Sequence, residues 1–198
     1  HVRINEDATC RQFKDDFETI VKKMKEGDIL KFSFAGHGTQ VPDISGDEDD
    51  EPNDRGQKFD EGFCFYDGII IDDTVAEMLA TIPKGCYFIG MIDCCYSGEA
   101  FRYKIDGLQP SKNRIQELVD SFAFTGLWLS AARENQLAVG SSDKGGLFTQ
   151  NALRLWDVGN FTGSYVEFHD KLRRISPAKH IPVCKELGIN GYHFMRKC

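Results

Sequence analysis

The sequence predicts an α/β sandwich in which a mostly parallel central sheet is flanked by helices. Three segments are apolar and short enough to be strands, at 29–34, 86–92 and 126–131. The second is apolar almost throughout, which is typical of a strand buried on both faces of a parallel sheet. Segments with helical periodicity separate the strands, and this alternation favours parallel pairing. The length of 198 residues indicates one domain, 1–198.

The connecting elements have their own local signals. Thr9 is a predicted N-cap for a helix that runs to about Glu26, where Gly27 ends it. Asp72 and Asp73 precede a helix at 74–82, where the helix dipole favours acidic side chains. The other predicted elements are helices at 112–122, 147–157 and 163–175, a hairpin or strand pair at 63–71, a long loop at 40–60 and a last strand at 191–196.

The charge is distributed unevenly along the chain. The formal net charge is −7, but residues 43–73 hold twelve carboxylates against two basic residues, a net −10, so the rest sums to +3. No basic run stands out, which argues against a nucleic-acid partner. No apolar run approaches the roughly 20 residues that span a bilayer, which argues against a membrane segment. The acidic segment is compatible with a bound cation, a basic peptide substrate or a solvated loop.

Seven cysteines form an odd set without the spacing of a zinc finger. The adjacent pair Cys94-Cys95 is poorly placed for a disulfide. Free thiols in a reducing compartment are the simplest interpretation, so we expect a cytoplasmic location. The odd count is compatible with one functional thiol among several buried ones.

Two predicted strands end in turns of small residues that carry reactive side chains. One turn presents His37 and the other presents Cys95, and function in open α/β sheets gathers at the carboxyl ends of strands. A cysteine peptidase needs this arrangement, because its nucleophile and its base come from separate loops. The backbone N–H groups of Gly38 and Cys95 are then candidate donors to the oxyanion of the reaction.

At these residues the sequence resembles the metacaspases and the bacterial caspase-like cysteine peptidases. The matching segments, in order, are Phe32 to Gln40, Gly46-Asp47-Glu48, Asp60-Glu61, Ile71-Asp72-Asp73, Asp93 to Gly98, Ser130 to Gln136 and Gly145 to Thr149. The resemblance covers nearly the whole chain and implies the caspase-hemoglobinase fold. It implies a larger half over about 1–104, a connection over about 99–116 and a smaller half over about 117–198.

The resemblance also implies a substrate and an activator. Family members cleave peptide substrates after Arg or Lys at P1, and Asp93, Ala35 and Ser130 are the implied substrate-binding residues. No cofactor is implied for the chemistry, but calcium is an implied activator, with Asp60, Asp72 and Asp73 as its candidate ligands. Family members also process themselves, and the basic residues in the connection are candidate cleavage sites: Arg102, Lys104, Lys112 and Arg114.

The sequence departs from the family pattern at several positions. Ala35 replaces the usual serine before Gly-His, Tyr96 replaces the commoner histidine, and Arg102 lies where calcium-dependent members carry an acidic ligand. The strand that normally precedes 2–9 is absent, and the resemblance places it in the middle of the sheet. We therefore expect a gap in the sheet, filled by a segment not present here or by a second piece. The domain is expected to be monomeric, associated with an N-terminal segment or a larger chain.

Two alternatives compete with an Arg/Lys-specific endopeptidase. One is a caspase-like peptidase with a different P1 preference. The other is a signalling or binding module with this fold and little activity, although the intact His37, Gly38 and Cys95 argue against a degenerate site. Asp93 also has a structural interpretation, as a cap for the helix that follows it.

Overall fold

The computed structural model describes residues 1–42, 59–94, 114–131, 140–141, 145–178 and 180–189. The nine strands of these residues are β1 (Ile29–Ala35), β2 (His37–Pro42), β3 (Phe59–Phe65), β4 (Gly68–Ile71), β5 (Tyr87–Asp93), β6 (Thr125–Ser130), β7 (Gly140–Ser141), β8 (Gly145–Gly146) and β9 (Val183–Gly188). The α-helices are α1 (Cys10–Val21), α2 (Asp72–Leu79), α3 (Arg114–Asp120), α4 (Leu147–Trp156) and α5 (Tyr165–Ile175). None of the helices in the described ranges is long and apolar enough to cross a membrane.

The main sheet has the strand order β1-β5-β6-β9. β1 pairs in parallel with β5, β5 pairs in parallel with β6, and β9 closes one edge antiparallel to β6. β5 is buried along most of its length, as its apolar run predicts. A mostly parallel sheet covered by helices is the predicted fold class, which is confirmed.

The described part of the sheet has no internal gap. Every residue of β1 from Ile29 to Ala35 has a partner in β5 from Tyr87 to Asp93, in unbroken register. The expectation of an empty slot in the middle of the sheet is therefore wrong for these four strands, because β1, which leads to His37, pairs directly with β5, which leads to Cys95. Within the described residues, β1 is an edge strand.

Two apolar clusters cover the opposite faces of the main sheet, because side chains alternate along each strand. On one face Phe88, Ile92 and Trp128 pack with α1, α2 and α3, and Trp128 is fully buried. On the other face Leu129 packs with residues of α4 and α5 such as Phe148 and Leu172. The sheet is thus the middle of three layers, and residues at its edges and ends are the ones left accessible.

The local signals predicted the start of α1 but not its end. The Thr9 hydroxyl accepts the Gln12 N–H at 3.1 Å and caps α1, as predicted. The helix ends at Val21 rather than at Glu26, because the next residues turn through tighter i to i+3 hydrogen bonds, such as Lys23 N–H to the Ile20 carbonyl. The predicted hairpin is confirmed as β3 and β4, and the predicted strand at 191–196 lies outside the described residues.

Candidate active site

A second sheet, of three strands, lies against the main sheet and carries His37. Its order is β2-β3-β4, with both pairs antiparallel. Phe63 of β3 packs edge-on against Phe34 of β1 and Trp128 of β6, with ring centroids 5.4 and 6.1 Å apart respectively. These contacts fix the second sheet over the carboxyl ends of β1 and β6.

The chain passes from one sheet to the other at Gly36. This residue separates β1 from β2, and its N–H donates to the Asp93 carbonyl at 3.3 Å. A Cβ on Gly36 would lie 3.0 Å from the Phe34 ring, so the crossing is tight. The next residue, His37, is exposed and begins β2 opposite Cys64, while Gly38 is half-buried opposite Phe63.

The strand register brings several predicted site residues to one edge of the main sheet. Ala35 pairs with Asp93, and the neighbouring residue Ile92 pairs with Ser130. The exposed Ala35 and the buried Asp93 thus end adjacent strands, and Ser130 ends the next one. His37 follows Ala35 by two residues and Cys95 follows Asp93 by two, although Cys95 itself lies outside the described residues.

Asp93 is 5% exposed and its carboxylate binds the start of α4. Both the backbone N–H and the hydroxyl of Thr149 donate to Oδ2 of Asp93, at 2.9 and 2.6 Å. Asp93 caps α4, which begins 54 residues further along the chain than the strand end, whereas the predicted cap on a helix directly after Asp93 falls on 95–113, outside the described residues. Gly146 lies against the same carboxylate, with no room for a Cβ.

Two further residues at the strand ends, Ser130 and Cys94, are deeply buried, which a substrate-binding role did not predict for Ser130. The Ser130 side chain is 0% exposed, and its hydroxyl meets no hydrogen-bond partner among the described residues. Its contact with a substrate stays a prediction, which would require this part of the site to open. Cys94 is 1% exposed and belongs to the main apolar cluster, so it is a packing residue.

The three predicted calcium ligands come together at the end of the second sheet that is away from His37. Asp60 of β3 and the first two residues of α2, Asp72 and Asp73, each offer a carboxylate oxygen, and these oxygens lie within 4.8 Å of one another. Asp60 and Asp72 are each 3% exposed. Oxygens that share one Ca²⁺ at 2.3–2.6 Å are at most about 5 Å apart, so the cluster fits such a cation.

Sequence reasoning missed two residues of this region, Gly146 and Thr149. Both belong to the segment Gly145 to Thr149, whose similarity to the family was visible, but nothing local assigned them a contact with Asp93. Glu61 is 4% exposed although its side chain is ionisable, and it lies on the opposite face of β3 from Asp60. Its burial also carries no signal in the sequence beyond its place beside Asp60.

Several known metacaspases are similar to this chain in sequence. A family model described as the metacaspase, peptidase C14 domain matches residues 2–104. Metacaspase-1 of Schizosaccharomyces pombe is 32% identical over 114 residues, which are 55% of this chain and 26% of the relative. Metacaspase-2 of Trypanosoma brucei brucei is 29% identical over 182 residues, which are 78% of this chain and 50% of the relative. The chain thus spans between about a quarter and half of the length of these relatives.

Two solved structures resemble the fold. The crystal structure of a Geobacter sulfurreducens protein aligns with a TM-score of 0.79 and 27% identity, covering 99% of this chain and 80% of that chain. Caspase-1 from Spodoptera frugiperda aligns with a TM-score of 0.56 and 12% identity, covering 94% of this chain and 69% of that one. At 12% identity, the likeness to the caspase indicates a shared fold and does not indicate a shared activity or substrate.

Proposed function

Because the chain belongs to the metacaspase family of C14 peptidases, we propose that it is a cysteine endopeptidase that cleaves after Arg or Lys. The observation that carries the proposal is the pairing of Ala35 with Asp93 at the carboxyl ends of adjacent parallel strands. Paired strands are about 4.8 Å apart. His37 and Cys95 each follow this pair by two residues, so the sequence and the register together support a thiol and an imidazole in one cleft.

The reaction proceeds through an acyl-enzyme. The Cys95 thiolate attacks the carbonyl carbon of the scissile bond, and the C–N bond breaks as the His37 imidazolium gives its proton to the departing amine. Water then attacks the thioester, His37 takes up the proton of the water, and the carboxyl product leaves as the thiolate is restored. The N–H groups of Gly38 and Cys95 are the proposed donors to the oxyanion.

The decisive test is hydrolysis of short fluorogenic peptides that differ only at P1. We expect turnover with Arg or Lys at P1, and loss of turnover in Cys95→Ala. Cys10→Ala, which changes a cysteine in α1, is the matched control and should keep wild-type turnover. The proposal fails if Cys95→Ala cleaves at the wild-type rate. It also fails if wild type cleaves no P1-Arg or P1-Lys peptide with or without calcium, which would favour a binding module.

The basic P1 preference is supported by the buried carboxylate of Asp93 at the strand end. A buried carboxylate prefers a cationic partner, which compensates for the loss of water. A forked pair of hydrogen bonds from an Arg guanidinium would need both carboxylate oxygens. Oδ2 already accepts two hydrogen bonds from Thr149, which fills the acceptor capacity of that oxygen. The proposed contact with the P1 cation is therefore made through Oδ1.

Calcium activation is a further part of the proposal, supported by the cluster of Asp60, Asp72 and Asp73. A divalent cation held there would offset the mutual repulsion of three carboxylates in a partly buried site. The cluster is connected by backbone pairing to β2, the strand that begins with His37, since Asp60 pairs with Val41. Binding of these residues to a cation would stabilise the sheet that carries His37.

Thermal unfolding in calcium or in chelator tests the metal site without relying on activity. At a calcium concentration about 100 times Kd, binding would add about 2.7 kcal/mol to the free energy of unfolding. That corresponds to a rise in Tm of roughly 5–10 °C for a domain of this size. Asp60→Asn and Asp72→Asn should lose the rise, and the exposed Asp15→Asn in α1 should keep it. An equal calcium response in all four proteins would exclude this site.

Self-processing in the connection is proposed from the sequence. The candidates Arg102, Lys104 and Lys112 lie outside the described residues, whereas Arg114 is the first residue of α3. Peptidases bind substrates in extended form, so cleavage after Arg114 would require the start of this helix to unfold. Mass spectrometry should find wild-type fragments that end at one of the first three residues and no fragments from Cys95→Ala. Intact wild-type chain after incubation with calcium would contradict self-processing.

A further inference from the structure

The side chain that reads the P1 residue in the proposed function is itself held by the smaller half of the domain. Asp93 ends β5, and Thr149 is the third residue of α4. The first turn of a helix has backbone N–H groups without partners inside the helix, and Thr149 directs one of them to Oδ2 of Asp93. The Thr149 hydroxyl adds a second, shorter hydrogen bond to the same oxygen.

Two features make this contact more constraining than an ordinary helix cap. Both donors belong to one residue and meet one oxygen, which fixes the carboxylate in position and in rotation. Gly146 at the N-cap of α4 packs against the carboxylate so closely that no side chain fits. These contacts therefore leave the Asp93 side chain little room to adopt another rotamer.

We infer that Thr149 is a positioning residue for P1 specificity, which holds Oδ2 of Asp93 so that Oδ1 meets the cationic P1 side chain. The inference rests on the proposed role of Asp93 in binding Arg or Lys. Thr149 does not touch the substrate in this arrangement. It holds the Asp93 side chain in one rotamer before the substrate binds. Less conformational entropy is then lost when the substrate binds, and such preorganisation strengthens binding.

The expected effect is on recognition of the positive charge and not on the chemistry. Loss of one hydrogen bond to a charged group typically costs about tenfold in an equilibrium constant. Thr149→Val removes the hydroxyl and keeps the backbone N–H and the side-chain shape. Its effect should appear in KM for P1-Arg peptides, while kcat and the cleavage of a neutral P1-citrulline peptide change little.

The experiment compares kcat/KM for P1-Arg and P1-citrulline peptides across wild type, Thr149→Val, Thr149→Ser and Asp93→Asn. Citrulline has nearly the shape of Arg without its charge. Thr125→Val is the matched control, because Thr125 also donates a 2.6 Å hydrogen bond from a largely buried hydroxyl. Thr125 begins β6, at the opposite end of the sheet from Asp93. Thermal unfolding of each variant shows whether it is folded.

The expected result is an Arg-over-citrulline ratio about tenfold lower in Thr149→Val, carried by KM, and restored in Thr149→Ser. Thr125→Val should lose stability but keep the wild-type ratio. A wild-type ratio in Thr149→Val, with the ratio lost in Asp93→Asn, would overturn the role of Thr149 and leave the proposed function intact. No preference for Arg in wild type, or a wild-type ratio in Asp93→Asn, would overturn the proposed role of Asp93 and this inference with it.

Discussion

Replacing Gly146 by alanine tests the packing between the strand end and α4 most directly. The backbone of Gly146 has φ −69° and ψ 148°, a conformation that any L-residue adopts, so alanine adds no backbone strain. Its Cβ would instead overlap Cγ and both oxygens of the Asp93 carboxylate, well inside the 3.0 Å below which something must shift. The carboxylate and the start of α4 must then separate.

The magnitude follows from the contacts that this separation breaks. Two hydrogen bonds to a buried charged group are worth about 1.5–3 kcal/mol each. Alanine recovers about 0.4–1 kcal/mol by restricting the unfolded chain. The free energy of unfolding should therefore fall by about 2–5 kcal/mol, which lowers Tm by roughly 5–15 °C in a domain of this size. The proposed activity on P1-Arg peptides should fall as well.

The assay is thermal unfolding together with peptide hydrolysis, with Gly68→Ala as the matched control. Gly68 begins β4, and an added Cβ there would meet only the Cys10 sulfur at 3.4 Å, an ordinary contact distance. This variant should unfold within about 1 kcal/mol of wild type. Equal Tm and equal activity for Gly146→Ala and Gly68→Ala would refute the close contact between Gly146 and Asp93.

Three further predictions concern pH, thiol reactivity and specificity. Burial lowers the pKa of His169, so the unfolded chain binds the proton more readily, and the free energy of unfolding should fall as pH drops below the unfolded pKa of about 6.5. The denaturant midpoint of His169→Gln should therefore fall less between pH 7 and 5 than that of wild type. Equal slopes of midpoint against pH in the two proteins would contradict this. Burial raises the pKa of Cys184 to about 12, so this thiol should react slowly at pH 7.5. Mass spectrometry after brief iodoacetamide treatment should find Cys184 unmodified when Cys95 is labelled. Labelling of both at equal rates would count against Cys95 as the nucleophile. Single-oxygen recognition by Asp93 should make kcat/KM for Arg and Lys peptides agree within about tenfold, and a preference for Arg of about a hundredfold or more would indicate a fork on both oxygens.

The buried strands were predictable because burial requires apolar residues along the strand itself, and such runs are visible in the local sequence. The segment 86–92 lies between two apolar layers, so nearly every position must be apolar, and the strand is observed at Tyr87–Asp93. β2 was not predicted, because His37–Pro42 has no apolar alternation and ends in proline. β9 was missed for a similar reason, since Val183–Gly188 lies at the edge of the described part of the sheet and has two charged residues.

The acidic cluster was predictable only in part. Asp72 and Asp73 are adjacent in sequence at a helix start, and a helix N-terminus favours acidic residues with or without a cation. Only the similarity to the metacaspases added Asp60. The fold brings Asp60 to them through the β3–β4 hairpin, where Gly62 pairs with Ile71, directly before Asp72. A short hairpin thus makes the proximity of the three carboxylates nearly local, and their role as calcium ligands stays a prediction.

The Asp93 contact shows where sequence reasoning ends. A carboxylate at a strand end has two local interpretations, a ligand for a substrate and a cap for the next helix, and sequence spacing cannot separate them. Its partner Thr149 lies 56 residues away, and the contact exists because α4 packs on the end of β5. Capping of α4 and the proposed contact with a substrate are compatible, since a carboxylate has two oxygens and the cap occupies Oδ2. A consequence is that substitutions at the start of α4 and at the strand end should be strongly non-additive, because each acts through the same oxygen.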